Sequence, residues 1–364
     1  MGFTFIKHDT KIDFVGMRRI AYAFSALAIV IGLVSILMHG GLKYGIDFAG
    51  GAVMQVHFDK PVADETLKKS LADANLEGLS IQRYGDGDQE YLIRVTVDNI
   101  TPDIIRDGVN TALAKNLPDA AYTVERMEMV GPKVGADLRS NAIEALYYAV
   151  LLIAIYISGR FEQRWMSAGI MAVALWGASY GLTMLGLPQE WIVLAAMVVT
   201  IFLCWKLKLH FALGAIIALL HDVIISVGLL SILGKEFDLN IIAALLTVIG
   251  YSLNDTIIVY DRIRENLRAH DELSFAEVIN ISINQTLSRT ILTGGTTLLV
   301  IVSLFFLGGG VIHDFALTMF SGVFVGTLSS IFVASPVLLA FGKPENYLVK
   351  EEEEYEKPGE HGMV

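Results

Sequence analysis

The chain has little charge and a single cysteine, and these two shortages exclude several classes of protein. Only 18% of its 364 residues are charged, and Cys204 is its one cysteine. A single cysteine cannot close an intramolecular disulfide, so a disulfide-stapled fold is excluded. The sequence lacks a collagen-type glycine period. Its net charge of -11 argues against nucleic-acid binding, because such proteins normally present a basic surface.

Apolar residues, in contrast, are abundant and clustered. They make up 54% of the chain, which excludes an intrinsically disordered protein. Several nearly uncharged stretches reach the ~20 residues that an α-helix needs to cross the hydrocarbon core of a bilayer. The sequence therefore predicts a polytopic α-helical membrane protein.

The first apolar stretch, residues 20–38, contains no charged side chain. Four basic residues precede it: Lys7, Lys11, Arg18 and Arg19. A signal peptide has a shorter apolar region and a small-x-small cleavage site, which is missing before His39. Residues 1–38 are therefore predicted to form a cytoplasmic N-terminus and an uncleaved first span, with a cleaved signal as the alternative.

Residues 39–141 have the composition of a water-exposed domain, with eleven basic and sixteen acidic side chains. Alternating apolar residues predict strands at 53–58, 79–84, 91–97 and 122–129, and helical spacing predicts helices at 63–74 and 102–117. This order of strand, helix, strand, strand, helix, strand is typical of a ferredoxin-like α+β domain. Because the domain follows the first span, we expect it outside the cytoplasm.

The apolar segments resume in residues 142–342, which are predicted to form the rest of a transmembrane bundle. They lie at 142–157, 166–187, 191–205, 211–233, 239–260, 290–307 and 315–341, which makes eight spans with the first. Basic residues cluster in alternate connections. In the loops on the opposite side, Lys235 is the only Lys or Arg. By the positive-inside rule both termini are cytoplasmic. Residues 343–364, with seven acidic side chains, are predicted to be a solvated cytoplasmic tail.

Few ionisable residues lie inside the predicted spans, and each is a functional candidate. A charged side chain in a bilayer costs at least ~2.5–3.5 kcal/mol on insertion scales. His221 and Asp222 lie near the middle of one span, and Asp255, beside Asn254, lies sixteen residues into the next. Small or polar neighbours at helical spacing, such as Ser252 before Asp255, predict that both acids face the bundle and not lipid.

A carboxyl group in a low-dielectric bundle tends to hold a proton, and a nearby cation favours its release. Asp255 is therefore a candidate proton-relay acid, with Asn254, His221 and Asp222 as further candidate residues of the relay. Arg289, just before the span at 290–307, is the cation best placed to modulate Asp255. The alternative for Arg289 is an ordinary positive-inside anchor.

Catalysis and metal binding are weaker interpretations of the same residues. The Gly-x-Gly-Asp context of an intramembrane aspartyl protease is absent at Asp222 and at Asp255. A His221-Asp222 pair without further His or Cys ligands on neighbouring spans makes a poor metal site. We therefore predict neither an enzyme nor a metal or other cofactor.

The cytoplasmic connection after Asp255 contains a second helix signal. Ser274 and Glu277 have the spacing of a capping box, and apolar residues then recur at a helical period up to Leu287. The resulting helix is expected either to lie along the membrane surface or to pack against the bundle.

Three motifs together resemble the SecF family of bacterial protein-export subunits. The longest, similar to the signature of the family's fourth core span, begins Gly250-Tyr251-Ser252-Leu253-Asn254-Asp255 and continues through Asp261-Arg262-Ile263-Arg264-Glu265-Asn266. The glycine-rich segment after the first span is Gly45-Ile46-Asp47-Phe48-Ala49-Gly50-Gly51. The start of the fifth span reads Asn284-Gln285-Thr286-Leu287-Ser288-Arg289-Thr290.

One stretch departs from this family pattern. SecF proteins usually join the second and third spans by a short turn, whereas here residues at about 163–210 add two apolar segments. Because a pair of spans preserves the orientation of everything that follows, the family topology is expected to survive the inserted hairpin.

The resemblance implies a resistance-nodulation-division architecture of six core helices, to which the hairpin adds two. It also implies partners: a SecD-like subunit, the SecYEG channel, the SecA ATPase indirectly, exported unfolded polypeptides and membrane lipids. In such a complex the proton-motive force helps to pull exported chains outward across the bacterial inner membrane. By position, Asp255 would be the relay acid and Arg289 its modulating cation.

Two other functions remain open from the sequence. A proton-coupled exporter of lipids or small hydrophobic molecules belongs to the same superfamily, but it normally has two large external domains in one chain. A scaffold subunit that holds partners without moving protons is the other alternative.

Overall fold

The fold is described here from a computed structural model. It describes residues 10–343, apart from 75, 77–78, 84–88, 96–100, 119, 163, 185, 187–188 and 271. The predicted acidic tail, except its first residue Lys343, and the first nine residues of the predicted cytoplasmic N-terminus lie outside the described residues.

A small α+β unit, which we name the sheet domain, lies between the first long helix, α1 (Phe14–Met38), and the later ones. A one-turn helix, α2 (Ile46–Ala49), leads into it. Its elements are then β1 (Gly51–Phe58), α3 (Asp64–Leu71), β2 (Ser80–Arg83), β3 (Glu90–Val95), α4 (Pro102–Asn116) and β4 (Tyr122–Val130). The four strands form one antiparallel sheet in the order β2-β3-β1-β4. This is the order of strands and helices that the sequence predicts.

Among the described residues of the domain, one face of the sheet packs on α3 and α4, and no helix packs on the other face. On β1 the buried residues alternate, so that Met54, Val56 and Phe58 join the core formed with Leu67 and Val109. The alternation arises because successive side chains of a strand point to opposite faces. The polar residues of the strands are thereby placed on the helix-free face.

Seven long helices follow the sheet domain. They are α5 (Pro132–Glu162), α6 (Trp165–Met184), α7 (Gln189–Lys206), α8 (His210–Ile232), α9 (Leu239–Ala269), α10 (Phe275–Leu307) and α11 (Gly309–Ser329). After α11 the chain makes a π-helical turn, Ser330–Ala334, one α-helical turn, α12 (Ser335–Val337), and a 3-10 turn, Leu338–Phe341. Most of the larger buried cluster of the molecule lies between α5, α8, α9 and α10.

Six helical stretches in the described part of the chain are long and apolar enough to cross a membrane. They are Phe14–Met38, Pro132–Glu162, His210–Ile232, Leu239–Ala269, Phe275–Leu307 and Ile312–Phe341. The sequence predicts eight spans, and the two additional ones correspond to α6 and α7. Their apolar stretches, Ala168–Met184 and Trp191–Lys206, are shorter than the other six, so the hairpin's crossing of the membrane stays a prediction.

The predicted helix along the membrane surface is not a separate element. Residues 275–307 form a single 33-residue helix, α10, whose N-cap Ser274 and Glu277 form the expected capping box. The apolar stripe of its first half, including Val278, Ile279 and Ile283, is buried against the bundle. The alternative prediction, packing against the bundle, therefore agrees with the structure.

Close helix contacts in the bundle are made at glycines. A Cβ atom on Gly32 of α1 would lie 2.8 Å from the Cα atom of Gly228 on α8. A Cβ atom on Gly228 would lie equally close to the Cα atom of Gly32. Helices in lipid gain no hydrophobic association from one another, so small residues that allow close backbone approach stabilise the crossing.

The start of α1 is held against α10 by two asparagine side chains, a contact that we name the asparagine clip. Asn284 of α10 accepts a hydrogen bond from the Ile12 backbone N–H at 3.0 Å and donates to the Ile12 carbonyl oxygen at 2.8 Å. Asn280, one turn earlier, accepts from the Val15 N–H at 3.0 Å and donates to the Asp13 carboxylate at 2.6 Å. The first residues of α1 are thus attached to the first half of α10.

Candidate functional site

Asp255 lies on the buried face of α9, where that helix packs against α10 and α11. Its side chain is 0% exposed, and its neighbours Ser252 and Thr256 are buried with it. Small polar side chains on this face leave room for the adjacent helices to approach closely. The structure therefore buries this acid inside the bundle, as its neighbours in the sequence predict.

The carboxyl group of Asp255 is poorly satisfied by hydrogen bonds. The Thr293 hydroxyl of α10 lies 3.5 Å from Oδ1, and no described residue bonds to the buried Oδ2. The same hydroxyl is 3.0 Å from the carbonyl oxygen of Arg289 and 3.1 Å from that of Thr290. Because one hydroxyl hydrogen cannot serve three acceptors, Asp255 has at best one long contact, and Oδ2 can accept a proton without breaking a bond.

Arg289 and Asn254 do not join Asp255 in a buried cluster. Arg289 is exposed on α10, one helical turn before Thr293. Its backbone is nevertheless linked to the acid, because Thr293 bonds to the Arg289 carbonyl. Asn254 lies on the exposed side of α9. Both predicted relay residues therefore lie beside the buried acid, on the outside of the bundle.

Asp222, in contrast, is fully engaged in a network that we name the Asp222 network. Its Oδ2 accepts hydrogen bonds from the hydroxyls of Ser252 on α9 at 2.6 Å and Ser329 on α11 at 2.8 Å. Its Oδ1 lies 2.9 Å from Nδ1 of His221, whose Nε2 lies 2.8 Å from the Ser25 hydroxyl on α1. With Nδ1 protonated, His221 donates to Asp222 and accepts from Ser25, so every member has a partner.

The Asp222 network joins four helices at the centre of the bundle. A Cβ on Gly326 of α11 would lie 2.8 Å from the Ser252 Cβ and 3.4 Å from Asp222 Oδ2. Only a glycine therefore lets α11 approach closely enough to seal this network. Polar bonds in a low-dielectric interior are strong when all partners are present and expensive when one is missing.

Both acids are connected through α9. Ser252, which binds Asp222, precedes Asp255 by three residues, so the two lie about one turn apart along the same helix. Movement of α9 relative to α8 or α11 would change the hydrogen bonds of Asp222, and movement relative to α10 would change those of Asp255.

Three residues of this site were not predicted as site residues from the sequence: Ser25, Thr293 and Ser329. Thr293 and Ser329 lie close in sequence to small residues that indicate tight packing, Gly294 for the former and Gly326 for the latter. Nothing near Ser25 indicates its role, because its partner His221 lies on a helix far along the chain.

The C-terminal end of the α9 signature forms surface ion pairs. The carboxylate of Asp261 lies 3.0 Å from the guanidinium of Arg160 on α5, and Arg262 pairs with Glu265 on its own helix at 2.9 Å. All four side chains are more than a third exposed, so each pair contributes at most about 1 kcal/mol. The Asp261–Arg160 pair joins α9 to α5, whereas the Arg262–Glu265 pair lies within α9.

The glycine-rich segment, Gly45 to Gly51, forms a compact joint between α1, the sheet domain and α5. Its backbone has φ of +76° at Gly50 and +122° at Gly51, conformations that residues with a Cβ rarely adopt. A Cβ on Gly50 would lie 2.8 Å from the Cα of Pro132, the first residue of α5. Glycine is thus required at this position both for the turn and for the close approach.

The same segment is bound to the N-terminal end of α9. Gly45 N–H donates to the Phe237 carbonyl at 2.8 Å, and the carboxylate of Asp47 accepts from the backbone N–H of Leu239 at 3.0 Å. Asp47 thereby caps a free amide at the start of α9, alongside the N-cap residue Asp238, which accepts from Ile241 N–H at 2.8 Å. Phe48 is 5% exposed and packs in the apolar cluster that contains Phe237 and Leu245.

A second contact joins the sheet domain itself to the loop before α9. Glu236 in that loop pairs with Arg94 of β3 and, at 3.0 Å, with Lys43 ahead of the glycine-rich segment. The Glu236 side chain is 12% exposed, so its charge is shielded and the pairing is worth more than a surface ion pair. The sheet domain is therefore attached to α9, the helix that contains Asp255.

Substituting Ala for Gly50 is expected to destabilise the chain by at least about 1–3 kcal/mol, because the new Cβ meets rigid backbone and the φ angle is unfavourable. Gly131 is the matched control, since a Cβ there would have no neighbour within 4 Å and its φ is not positive. Thermal unfolding in detergent should show a lower midpoint for Gly50→Ala and a change within about 0.5 kcal/mol for Gly131→Ala. Equal midpoints would contradict the role given to Gly50.

The N-cap of α9 should make stability depend on pH. Burial raises the pKa of Asp238, and the nearby Asp47 adds to this, against the lowering effect of the Ile241 N–H. A raised folded-state pKa means that the contribution of Asp238 is fully present below its unfolded pKa of about 3.9 and is lost as pH rises through the folded value.

The test compares wild type with Asp238→Asn, since Asn retains a capping oxygen but does not ionise. Between pH 4 and pH 7 the wild type should lose stability relative to Asp238→Asn, measured as unfolding midpoints at each pH. Asp238→Ala, which removes the cap, should be less stable than Asp238→Asn by about 1 kcal/mol at every pH. A wild-type curve parallel to that of Asp238→Asn would show that Asp238 has an ordinary pKa.

Within the described part of the chain, one group of three potential metal ligands lies close enough together to hold an ion. It consists of His57, Glu90 and Glu125 in the sheet domain and includes neither Asp222 nor Asp255.

Two family models match this chain. One is described as "Protein export membrane protein SecD/SecF, C-terminal" and matches residues 109–176 and 188–344. The other is described as "SecD/SecF GG Motif" and matches residues 36–62, which include the glycine-rich joint.

Curated relatives match over most of the chain. A protein translocase subunit SecF from Magnetococcus marinus is 41% identical over 333 residues, covering 91% of this chain and 92% of the relative. Another, from Calditerrivibrio nitroreducens, is 38% identical over 333 residues and covers 91% and 94%. A third, from Desulfurispirillum indicum, is 39% identical over 356 residues, with coverage of 95% and 97%.

A solved structure is also similar. It is the crystal structure of SecDF from Thermus thermophilus, titled a translocon-associated membrane protein, with 33% identity and a TM-score of 0.68. The similarity covers 92% of this chain but only 39% of the longer SecDF chain.

Proposed function

Because the chain belongs to the SecF family of protein translocase subunits, we propose that it uses the proton-motive force, together with a SecD-like subunit, to promote polypeptide export through a SecYEG channel. The chain is a multi-pass membrane protein and a Sec-associated translocase subunit.

The observation that carries the proposal is the buried Oδ2 of Asp255, which has no hydrogen-bond partner among the described residues. An ionised carboxylate in such a place is costly unless it is paired. A proton removes that cost, and the loss of the proton favours any rearrangement that brings the Thr293 hydroxyl or the Arg289 side chain closer. Uptake and release of a proton would thereby shift α10 relative to α9.

The free energy available is sufficient for a modest rearrangement. One proton moved through 100 mV supplies about 2.3 kcal/mol, comparable to one or two buried hydrogen bonds. The Asp222 network, in this proposal, joins α1, α8, α9 and α11 into one unit. Its acid already accepts three bonds, so a shift of α10 is passed to these helices together.

Movement would reach the external side through the joint at the start of α9. Asp47 caps that helix and Glu236 binds Arg94 of the sheet domain, so a displaced α9 displaces the sheet domain. We infer that this domain lies outside the cytoplasm, has the ferredoxin-like fold that its strand order suggests, and acts on the emerging polypeptide.

The pairing with a SecD-like subunit is supported by polar residues on the outside of α9 and α10. Asn254 and Arg289 are both exposed. Asn254 is adjacent to Asp255 in the chain, and Arg289 lies one helical turn before Thr293, the residue that contacts Asp255. A polar side chain facing lipid at membrane depth is costly, whereas a second subunit could cover and hydrogen-bond these groups. The partner's helices would then complete the site around Asp255.

Both termini lie in the cytoplasm of a bacterium with the bundle in its inner membrane, and SecA acts indirectly by pushing chains into the channel. The α6–α7 hairpin adds two spans on the α5 and α8 side, away from α10. It contacts lipid there and leaves the face with Asn254 and Arg289 open to the partner.

The test is reconstitution of export in vesicles that contain SecYEG, SecA and a SecD-like subunit, with and without this chain. We expect the chain to increase completed export of a preprotein only while a proton gradient is imposed, and a protonophore should remove the increase. An increase that does not depend on the gradient would identify a scaffold. Transport of a lipophilic probe by the chain alone would identify an exporter.

A further inference from the structure

The helix-free face of the sheet domain contains a group of potential metal ligands that the export function does not use. His57 on β1, Glu90 on β3 and Glu125 on β4 come from three neighbouring strands. Their ligand atoms all lie within 4.8 Å of one another. We propose that these three residues form a binding site for a divalent first-row metal ion of the Zn²⁺ type.

The geometry suits such an ion. Nδ1 of His57 lies 3.6 Å from Oε1 of Glu90, beyond hydrogen-bonding distance. With Zn–N and Zn–O bonds of about 2.0–2.2 Å, two ligands of a tetrahedral ion lie roughly 3.3–3.6 Å apart. An ion placed between these two atoms would therefore reach both with little movement.

His57 also lacks any other use for this nitrogen. Its Nδ1 is buried and has no hydrogen-bond partner among the described residues. A buried polar atom without a partner is costly, and a metal ion would satisfy it. Because His57 is paired with Glu90 in the β1–β3 register, the sheet itself fixes the relative position of these two ligands.

The third ligand is oriented by a neighbour. The side-chain amide of Gln55 donates to Oε2 of Glu125 at 2.7 Å, which leaves Oε1 available. Residues that hold a metal ligand in this way commonly tune affinity by 10–100-fold. The two carboxylates have no Lys or Arg partner within the described residues, so two positive charges on an ion would balance them.

Three protein ligands of one imidazole and two carboxylates match the open type of Zn²⁺ site, in which a fourth position is left for water or another molecule. Glu125 is exposed and the other two are partly exposed, so this position faces away from the domain core. A side chain of a neighbouring protein could occupy it.

The test uses the full chain, purified in detergent with an affinity tag that contains no histidine and stripped with a chelator. Titration calorimetry with Zn²⁺ alone should show one ion per chain, and Co²⁺ should give the visible absorption of a tetrahedral complex. His57→Ala and Glu90→Gln should each weaken Zn²⁺ binding more than the ~10-fold expected for Gln55→Ala.

Glu128→Gln is the matched control, because Glu128 lies on the same strand as Glu125 but pairs with Arg126 and should leave binding unchanged. Glu90→Gln is nearly isosteric, so it decides the matter if His57→Ala does not fold. Equal Zn²⁺ affinity in wild type and Glu90→Gln, or wild-type binding only at millimolar Zn²⁺, would overturn the proposal. Neither result depends on export activity.

Discussion

Replacing Asp255 with Asn is expected to remove the gradient-dependent part of polypeptide export while leaving the chain folded and assembled. Asn cannot take up or release a proton, but it has nearly the same size and still accepts a bond from Thr293. A driving force of about 2.3 kcal/mol per 100 mV corresponds to a factor of roughly 50 in an equilibrium. Export with the gradient should therefore fall to the level measured with a protonophore.

The control for this experiment is Thr247→Ala. Thr247 lies on the same helix but is exposed, and its hydroxyl donates to the Ala243 carbonyl of that helix, so its substitution should retain the gradient response. Assembly of Asp255→Asn is checked by recovery of the partner subunit. If the assembled Asp255→Asn variant still exports in response to the gradient, Asp255 is not the relay acid.

Replacing Asp222 with Ala is expected to produce the largest loss of stability. The substitution leaves His221, Ser252 and Ser329 buried without their common acceptor. Each buried donor that loses its acceptor typically costs roughly 1–3 kcal/mol, and this substitution removes the acceptor of three donors at once. We therefore expect a strongly lowered unfolding midpoint in detergent and little protein recovered with the partner subunit.

Two variants separate this explanation from a general sensitivity of α8. Asp222→Asn retains one oxygen and should be much less damaging than Asp222→Ala. Ser226→Ala lies one turn further along the same buried face, and the Ser226 hydroxyl has no partner within the described residues. Its removal should be neutral or stabilising. Similar damage from Asp222→Ala and Ser226→Ala would show that packing, and not the network, is responsible.

The sequence predicts the helices and strands well because their signals are local. Alternation along β1 and uncharged stretches of about 20 residues each fix an element without reference to the rest of the chain. The capping box at Ser274 is equally local and is confirmed. The continuity of α10 was not predicted, because the change from an amphipathic to an apolar pattern near Thr290 resembles a boundary although the backbone passes through it.

The candidate site is only partly predictable for the opposite reason. The burial of Asp255 follows from its small neighbours, but its sparse hydrogen bonding depends on where α10 places Thr293. The contrast with Asp222 is not visible in the sequence either, since Ser25, Ser252 and Ser329 come from three different helices. Residues far apart in the chain meet only through tertiary packing, and single-sequence patterns do not encode those meetings.

The asparagine clip closes these contacts into a ring. Through Asn280 and Asn284, α10 holds the first residues of α1, and α1 reaches His221 through Ser25. The ring continues from His221 through Asp222 to Ser252 on α9, and from Asp255 back to Thr293 on α10. A shift of α10 therefore arrives at the centre of the bundle by two routes, directly across α9 and indirectly by way of α1, so the helices of this ring turn together and not one at a time.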